Sequence, residues 1–350
     1  MKYTHLFWGK ILLALMLLSS CGDKSHEEKG DGTTQTSEFK PSWIVALDRE
    51  IAKDSTNPEL YLKRAQAYYD LGNFRKAEED ILKATRLDTT FAEAYLLRAK
   101  LYMEAQDYKR AMRLLLKARR LKPQLTETHL LIGQIFFYVQ KYQDAIASLM
   151  EAIKQNPADY RPYFYLGLIY KEIADTAQAI NAFHKAIEIG GPLYHAYMQL
   201  GLLYDALGRP EAEDYFEAAI RLDSASAEAW YALAMFYKNR QQPQKALEIF
   251  KEMAKRFPQY EKGLYGLGYM YFEMDSLDKA RRLFYMATQV APYYAKAYYM
   301  MGLIDELKGD TSKAAWAYEQ ALALDPEFEL AKEAYERVKP WYKGDNQFEL

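Results

Sequence analysis

The side chains that could perform acid–base or nucleophilic chemistry are few and far apart in this chain of 350 residues. The chain has five histidines, at His5, His26, His129, His184 and His195. None of them has a nucleophilic residue at the spacing of a known catalytic motif. No zinc-protease pair, Walker motif or nucleophile elbow occurs. His129 falls at a position where a large residue packs, which indicates a structural histidine. We therefore predict that the chain is not an enzyme.

Two further features could be taken for ligand sites. Gly263, Gly266 and Gly268 suggest a phosphate-binding loop, but they fall inside a helical pattern and do not follow a strand. Cys21 is the only cysteine, so neither a disulfide framework nor a cysteine zinc site is possible. We predict no metal site and no cofactor.

The apolar pattern that organises the chain is clearest in the 34 residues from Glu261 to Tyr294. An apolar face, a turn near Met274 to Leu277 and a second apolar face predict two helices joined by a turn. Small residues let the two helices approach closely, and a proline ends the unit. The residues at positions 4, 7, 8, 11, 20, 24, 27 and 32 of this unit are Leu264, Leu267, Gly268, Tyr271, Ala280, Phe284, Ala287 and Pro292.

The same pattern recurs from about residue 58 to residue 328. Position 8 is small in every copy, and successive copies are 34 residues apart except for one step of 33. The residues at this position are Ala65, Ala99, Gly133, Gly167, Gly201, Ala234, Gly268 and Gly302. The pattern resembles the tetratricopeptide repeat, which has a period of about 34 residues. The resemblance implies an all-α, right-handed superhelical solenoid of about eight helix-turn-helix repeats, over residues 58–328.

Single helices flank the repeats on both sides. Residues 42–57 are predicted to form an N-terminal capping helix, and residues 329–350 a C-terminal capping helix and tail, because stacked repeats leave an apolar end that must be covered. The inward faces are predicted to hold Trp43, Leu47 and Ile51 in the first helix and Leu330, Ala334 and Val338 in the last. The polar faces of these helices would keep the solenoid soluble.

The N-terminus has the features of an export signal. Lys2 and Lys10 precede the apolar run from Ile11 to Leu18, which is too short to span a membrane. The run Leu18-Ser19-Ser20-Cys21 resembles the lipobox of bacterial lipoproteins. That resemblance implies a signal peptide over residues 1–20, cleavage before Cys21 and acylation of Cys21. Several acyl chains on one residue give stable anchoring.

A polar segment follows the cysteine. Residues 21–41 are predicted to form a flexible tether, since the stretch from Gly22 to Pro41 is rich in Gly, Ser, Thr and charge. His26, Glu27 and Glu28 are interpreted as solvated residues of this tether and not as metal ligands. Gly22 lacks the aspartate that favours inner-membrane retention in enterobacterial lipoproteins. The resemblance thus implies the outer membrane, at its periplasmic face or at the cell surface.

Members of the repeat family line their concave face with the first helix of each repeat, chiefly through positions 2, 5, 9 and 12. Here those positions would form an apolar and aromatic groove with a few charges along one edge. The Lys at position 5 and Asn at position 9 that clamp a terminal carboxylate in chaperone-binding members are absent. The residues predicted to bind a partner are Phe164, Tyr231, Met235, Tyr265, Tyr269, Phe272 and Tyr299. The alternative is that these side chains only pack against neighbouring repeats.

The predicted function is therefore that of a lipid-anchored envelope scaffold, which binds a peptide or helix of one or more envelope proteins in an aromatic groove. The alternative is a surface lipoprotein that captures glycans, because aromatic faces stack on sugar rings. A formal net charge of -2 gives no polybasic surface for nucleic acid. Membrane contact is expected through the lipid anchor alone.

Overall fold

The computed structural model describes residues 40–341, and this range holds eighteen α-helices and no strand. The predicted signal peptide, Cys21, nearly all of the predicted tether and residues 342–350 lie outside the described residues. Within residues 40–341 no helix combines the length and the apolar character needed to cross a membrane.

The helices are, in chain order, α1 Ser42–Lys53, α2 Pro58–Asp70, α3 Phe74–Leu87, α4 Ala92–Glu104, α5 Tyr108–Leu121, α6 Thr126–Tyr138, α7 Tyr142–Gln155, α8 Tyr160–Glu172, α9 Thr176–Gly190, α10 Tyr194–Ala206, α11 Ala212–Leu222, α12 Ala227–Asn239, α13 Pro243–Arg256, α14 Glu261–Glu273, α15 Leu277–Val290, α16 Ala295–Leu307, α17 Thr311–Leu324 and α18 Glu329–Val338. A 3-10 turn, Lys339–Trp341, follows the last helix.

The helices from α2 to α17 form eight helix-turn-helix pairs, and each pair stacks on the next along the chain. The first helices of several neighbouring pairs also touch, as α10 and α12 do, whereas no comparable contact joins two second helices in the range 40–341. Because the first helices approach each other more closely, the stack curves toward them. The predicted all-α solenoid of helix-turn-helix repeats is confirmed.

Close approach of the two helices in a pair depends on small residues. A Cβ atom on Gly302 would lie 2.6 Å from the ring of Tyr318, which is fully buried. A Cβ atom on Gly266 would lie 2.2 Å from the ring of Phe250 in the preceding repeat. In the phosphate-loop-like stretch, Gly266 and Gly268 therefore make room for aromatic rings of the core.

The turn inside each repeat has one conformation throughout. Its central residue, at position 15 of the repeat, lies in the left-handed region, with φ between 55° and 78°. In the seventh repeat the N–H of Asp275 donates to the carbonyl of Phe272 and that of Ser276 to the carbonyl of Tyr271, which is the Schellman arrangement. The eight residues at this position are Gly72, Gln106, Gln140, Ala174, Gly208, Gln241, Asp275 and Gly309. Only three of the eight are glycine, so the other five hold a conformation that side chains disfavour.

The two capping helices cover the ends of the stack, but two predicted inward residues were wrong. In α1 the buried residues are Ile44 and Ile51, while Trp43 is 45% exposed. In α18 Ala331 is buried and Leu330 is 56% exposed. Ile51, Ala334 and Val338 are buried as predicted, so only the first inward residue of each helix differs, by one position. Two neighbouring apolar residues are available there, and only packing selects one of them.

Two arginines form ion pairs that join neighbouring helices. Arg64 binds Asp80 of α3 at 2.7 Å and Asp48 of α1 at 2.6 Å, so one guanidinium links three helices. Arg281 of α15 forms a two-pronged pair with Asp305 of α16, at 2.6 and 2.8 Å. Asp305 is only 3% exposed and stands where most repeats have an apolar residue. Charge pairing replaces apolar packing at that position.

Candidate partner-binding face

The histidines of the described range lie on separate helices. His129 on α6 is buried, and burial lowers its pKa. His184 on α9 has the hydroxyls of Tyr204 and Tyr215 at 3.4 and 3.3 Å, and burial lowers its pKa as well. His195 lies on α10 beside the ring of Tyr194. In the part of the chain that the structure describes, no three His, Cys, Asp or Glu side chains converge where they could hold a metal ion.

All seven residues predicted to bind a partner lie on first helices and are half-buried. Four of them, Tyr231, Tyr265, Tyr269 and Tyr299, come together in the last three repeats, where the phenol of Tyr265 interacts with the other three. Phe164 lies apart on α8, where its ring packs on Phe183 at 5.6 Å. Of the remaining two, Met235 packs against the core of the sixth repeat and Phe272 against that of the seventh.

Each of the last three repeats contains the same arrangement of aromatic rings. The ring at position 5 packs on the ring at position 24 of the second helix and on the ring at position 34, just before the next helix. The distances between ring centroids lie between 5.1 and 6.2 Å. The three sets are Tyr231, Phe250 and Tyr260; Tyr265, Phe284 and Tyr294; and Tyr299, Tyr318 and Phe328. These contacts fix the rings as part of the core.

The hydroxyl groups of these rings have a different environment. We call Tyr231, Tyr260, Tyr265, Tyr294 and Tyr299 the tyrosine cluster. None of its five hydroxyls makes a hydrogen bond to another group of the described residues. A polar group that lies partly buried without a partner is costly unless water or a ligand satisfies it.

Partial burial and mutual proximity raise the pKa values of several phenols in this cluster. Burial raises the pKa of Tyr265 to about 12, and the neighbouring phenols raise it further in the same direction. Burial raises the pKa of Tyr294 as well, with contributions from Tyr265, Tyr231 and the carboxylate of Glu261. Tyr265 and Tyr294 therefore stay neutral at physiological pH, and each can donate one hydrogen bond.

Charged side chains border the tyrosine cluster. The ammonium of Lys238 lies 3.8 Å from the centre of the Tyr269 ring, a cation–π contact. The carboxylate of Glu261 is near enough to affect the pKa values of Tyr231 and Tyr260. A ligand on this face would thus meet hydroxyl donors next to the ammonium of Lys238 and the carboxylates of Glu228 and Glu261.

Two members of the cluster were missed by the sequence reasoning. Tyr260 and Tyr294 occupy position 34, at the residue before a first helix begins. The signal was present, because all of the last three repeats carry an aromatic residue at position 34, as Tyr260, Tyr294 and Phe328. It was overlooked because position 34 precedes the helix and does not belong to its apolar face.

Comparison with known families agrees with the helix pairs. Three models described as tetratricopeptide repeat match residues 58–91, 194–226 and 295–328, residues 130–192, and residues 227–270. Together they cover more than half of the chain. A fourth model, described as anaphase-promoting complex, cyclosome, subunit 3, matches residues 83–152.

Among curated proteins, the chain is 29% identical over 126 residues to the general transcriptional corepressor ssn6 of Schizosaccharomyces pombe, which is 34% of this chain and 11% of that protein. It is 30% identical over 127 residues to the human protein O-mannosyl-transferase TMTC1, which is 35% of this chain and 14% of that protein. The chain thus spans only a small part of the length of these relatives.

Among solved structures, the C-terminal part of a TPR repeat-containing protein from Cytophaga hutchinsonii matches with a TM-score of 0.56 and 20% identity, over 68% of this chain and 98% of that one. This likeness concerns the fold. The helix pairs, their recurring small residues and the three matching models lead to one conclusion: the chain belongs to the tetratricopeptide repeat family.

Proposed function

We propose that this protein is a scaffold of a bacterial cell envelope that binds an extended segment of a partner protein across its first-helix face, at the tyrosine cluster. The observation that carries the proposal is the set of half-buried phenols with unpartnered hydroxyls. Their rings pack on the core, at 5.2 Å for Tyr265 and Tyr294, while their hydroxyls are left for a ligand. Repeat proteins of this family generally bind proteins or peptides and do not catalyse reactions.

The hydroxyls favour an extended segment over a helix. The carbonyls of a helix are used inside the helix, whereas an extended chain offers its carbonyls to donors outside it. Adjacent helices pack about 10 Å apart, and an extended chain rises about 3.3 Å per residue. The phenols at position 5, one in each of the last three repeats, would therefore address about every third residue of the partner. The neighbouring Lys238 and Glu261 would fix its direction through charge.

The site of action follows from the N-terminal segment. Acylation of Cys21 would tether the solenoid to a membrane through the segment over residues 21–41. The outer membrane, at its periplasmic face or at the cell surface, is the location that we propose. Partners would be proteins of the envelope, and no cofactor is required.

Glycan capture is the alternative ligand class. A sugar ring stacks on an open aromatic face, but the ring of Tyr265 already contacts Phe284 and Tyr294. The ring of Tyr299 likewise contacts Tyr318 and Phe328. Because these faces are engaged and the hydroxyl edges are not, hydrogen bonding to a peptide fits the cluster better than stacking on sugars.

The proposal is tested by affinity capture from detergent-solubilised envelopes. The natural chain is compared with a variant in which Tyr231, Tyr265 and Tyr294 become Phe. This change deletes three hydroxyls and retains the rings, so the core stays packed. We expect specific proteins to be captured by the natural chain and lost from the variant.

A matched control replaces three tyrosines that lie outside the cluster, Tyr163, Tyr285 and Tyr293, by Phe. The control is expected to capture the same proteins as the natural chain. Capture that is unchanged in the cluster variant would contradict a role for the hydroxyls. Quenching of aromatic fluorescence by glycans, in the absence of any protein, would move the assignment to sugar binding.

A further inference from the structure

The charge of the chain is divided unevenly along the solenoid. Residues 40–125 contain 18 Lys and Arg against 12 Asp and Glu, whereas residues 126–341 contain 23 against 29. The first two repeats with their cap therefore carry a net charge of +6, and residues 126–341 carry -6. The overall value of -2 conceals this division.

The excess of positive charge is concentrated on α5. This helix, Tyr108–Leu121, contains six Lys and Arg and no Asp or Glu. Two of the six have partners: Arg110 pairs with Asp107, and Lys117 donates to the hydroxyl of Tyr95. Among the described residues no carboxylate pairs with Lys109, Arg113 or Arg120, and all three are exposed.

These cations lie on the outer side of the stack, opposite the first helices. Lys109, Arg113, Leu116 and Arg120 are spaced by four, three and four residues, so they share one face of α5. The equivalents of Arg120 in the neighbouring repeats, 34 residues before and after, are the exposed Arg86 and Lys154. The row of basic residues therefore continues onto α3 and α7.

Exposed apolar side chains lie among these cations. Leu116 is 36% exposed, and its equivalent on α7, Met150, is 52% exposed. We call Arg86, Lys109, Arg113, Leu116, Arg120, Met150 and Lys154 the basic face. Long cationic side chains around a few apolar ones are the composition of surfaces that rest on anionic lipid headgroups.

We propose that the basic face docks the first three repeats onto an anionic lipid surface. Charge complementarity is the first argument, because neighbouring carboxylates leave most of these cations unpaired. The second argument is the length of chain before residue 40. A flexible tether of about 20 residues has a root-mean-square length of about 25 Å, so an acylated Cys21 would keep the first repeats close to the bilayer.

Docking would orient the molecule. The second helices of the first three repeats would lie on the headgroups, and the first-helix face with its tyrosine cluster would be turned away from the membrane. The acidic later repeats would be repelled from the same surface. This inference rests in part on the anchor proposed at Cys21, but it does not depend on the tyrosine cluster.

The test is partitioning of the full chain, with Cys21→Ser to prevent acylation, onto phosphatidylcholine vesicles and onto vesicles of phosphatidylcholine mixed with phosphatidylglycerol. The ratio of the two partition coefficients removes any apolar contribution of the N-terminal segment. We expect a ratio above about tenfold at low salt, falling toward one as salt screens the charges.

The variant Arg86→Glu, Arg113→Glu, Arg120→Glu should bring that ratio to about one. The same three positions changed to Lys should retain it. The control Lys251→Glu, Lys255→Glu, Arg282→Glu makes an equal change of charge at exposed positions of the later repeats, and it should keep the ratio. Each variant is first shown to melt at the temperature of the natural chain by circular dichroism.

A ratio that survives in the basic-face variant, or that falls equally in the control, would overturn the proposal. The proposal would also be overturned if the basic-face variant lost binding of an acidic protein while its vesicle partitioning was unchanged. The face would then be assigned to a protein partner. Capture of groove partners by the basic-face variant should remain normal, so a failure here is distinguishable from failure of the proposed function.

Discussion

Truncation of Tyr265 separates the two roles that the structure gives to the tyrosine cluster. Replacing a fully buried aromatic residue by Ala costs about 3–5 kcal/mol, and each aromatic pair adds about 0.5–1.5 kcal/mol. Tyr265 is half-buried, with ring centroids of Phe284 and Tyr294 both at 5.2 Å. We therefore expect Tyr265→Ala to lower the free energy of unfolding by about 2–3 kcal/mol.

Tyr265→Phe should behave differently, because the deleted hydroxyl has no partner among the described residues. Its expected effect on the free energy of unfolding is within about 0.5 kcal/mol. Urea denaturation followed by circular dichroism measures both variants, with Tyr293→Ala, at a residue 76% exposed, as a control of near-zero cost. A loss in Tyr265→Phe as large as that in Tyr265→Ala would refute the reasoning, since the hydroxyl would then hold the fold together.

Three other predictions concern stability. Asp305→Ala leaves the half-buried Arg281 without its carboxylate, so we expect the free energy of unfolding to fall by about 3 kcal/mol, measured by urea denaturation; no change would mean that the pair is solvated. Ala174→Gly removes a side chain from a residue with φ of 62°, so the free energy of unfolding should rise by about 0.5–1 kcal/mol. The melting temperature should rise with it, and a fall would contradict the left-handed turn. Burial raises the pKa of Tyr265 from 10.0 to about 12, so ionisation favours the unfolded chain as pH rises through that window. Stability should fall between those two pH values, and ultraviolet absorbance should show late-ionising phenols; complete phenol ionisation near pH 10 in the folded chain would contradict their burial.

The architecture could be predicted from the sequence because the pattern is redundant. Eight copies carry a small residue at position 8, and a departure in one copy is corrected by the others. The capping helices have no such redundancy. Trp43 was placed inward although Ile44 is the buried residue, because one copy of a short amphipathic helix does not fix its own rotation.

Local backbone conformation was harder to anticipate. Glycine at Gly72, Gly208 and Gly309 signals a left-handed turn, but Gln106 and Ala174 adopt the same conformation without that signal. The repeated helix packing imposes the turn whatever the residue is. A buried charge is similarly hidden, since the partner of Asp305 is 24 residues away in the chain.

The predicted binding residues show the main limit of sequence reasoning. Their positions on first helices followed from the repeat. Periodicity shows which face of a helix a residue lies on, but it does not show which atoms of the side chain pack in the core and which remain available to a ligand. The structure puts the rings of Tyr265 and Tyr299 against core aromatics and leaves their hydroxyls unpartnered. Residues before the helix, such as Tyr260 and Tyr294, lie outside any helical pattern.

The measurement that tests the central claim most directly is the dissociation constant of one purified partner for the natural chain and for the variant with Tyr231, Tyr265 and Tyr294 changed to Phe. Each hydroxyl bond contributes about 1 kcal/mol, so the loss of three should weaken binding by about 3 kcal/mol, which is roughly 150-fold in the dissociation constant. The fold should be unchanged by circular dichroism. Equal dissociation constants for the two chains would show that the hydroxyls of the tyrosine cluster do not bind the partner.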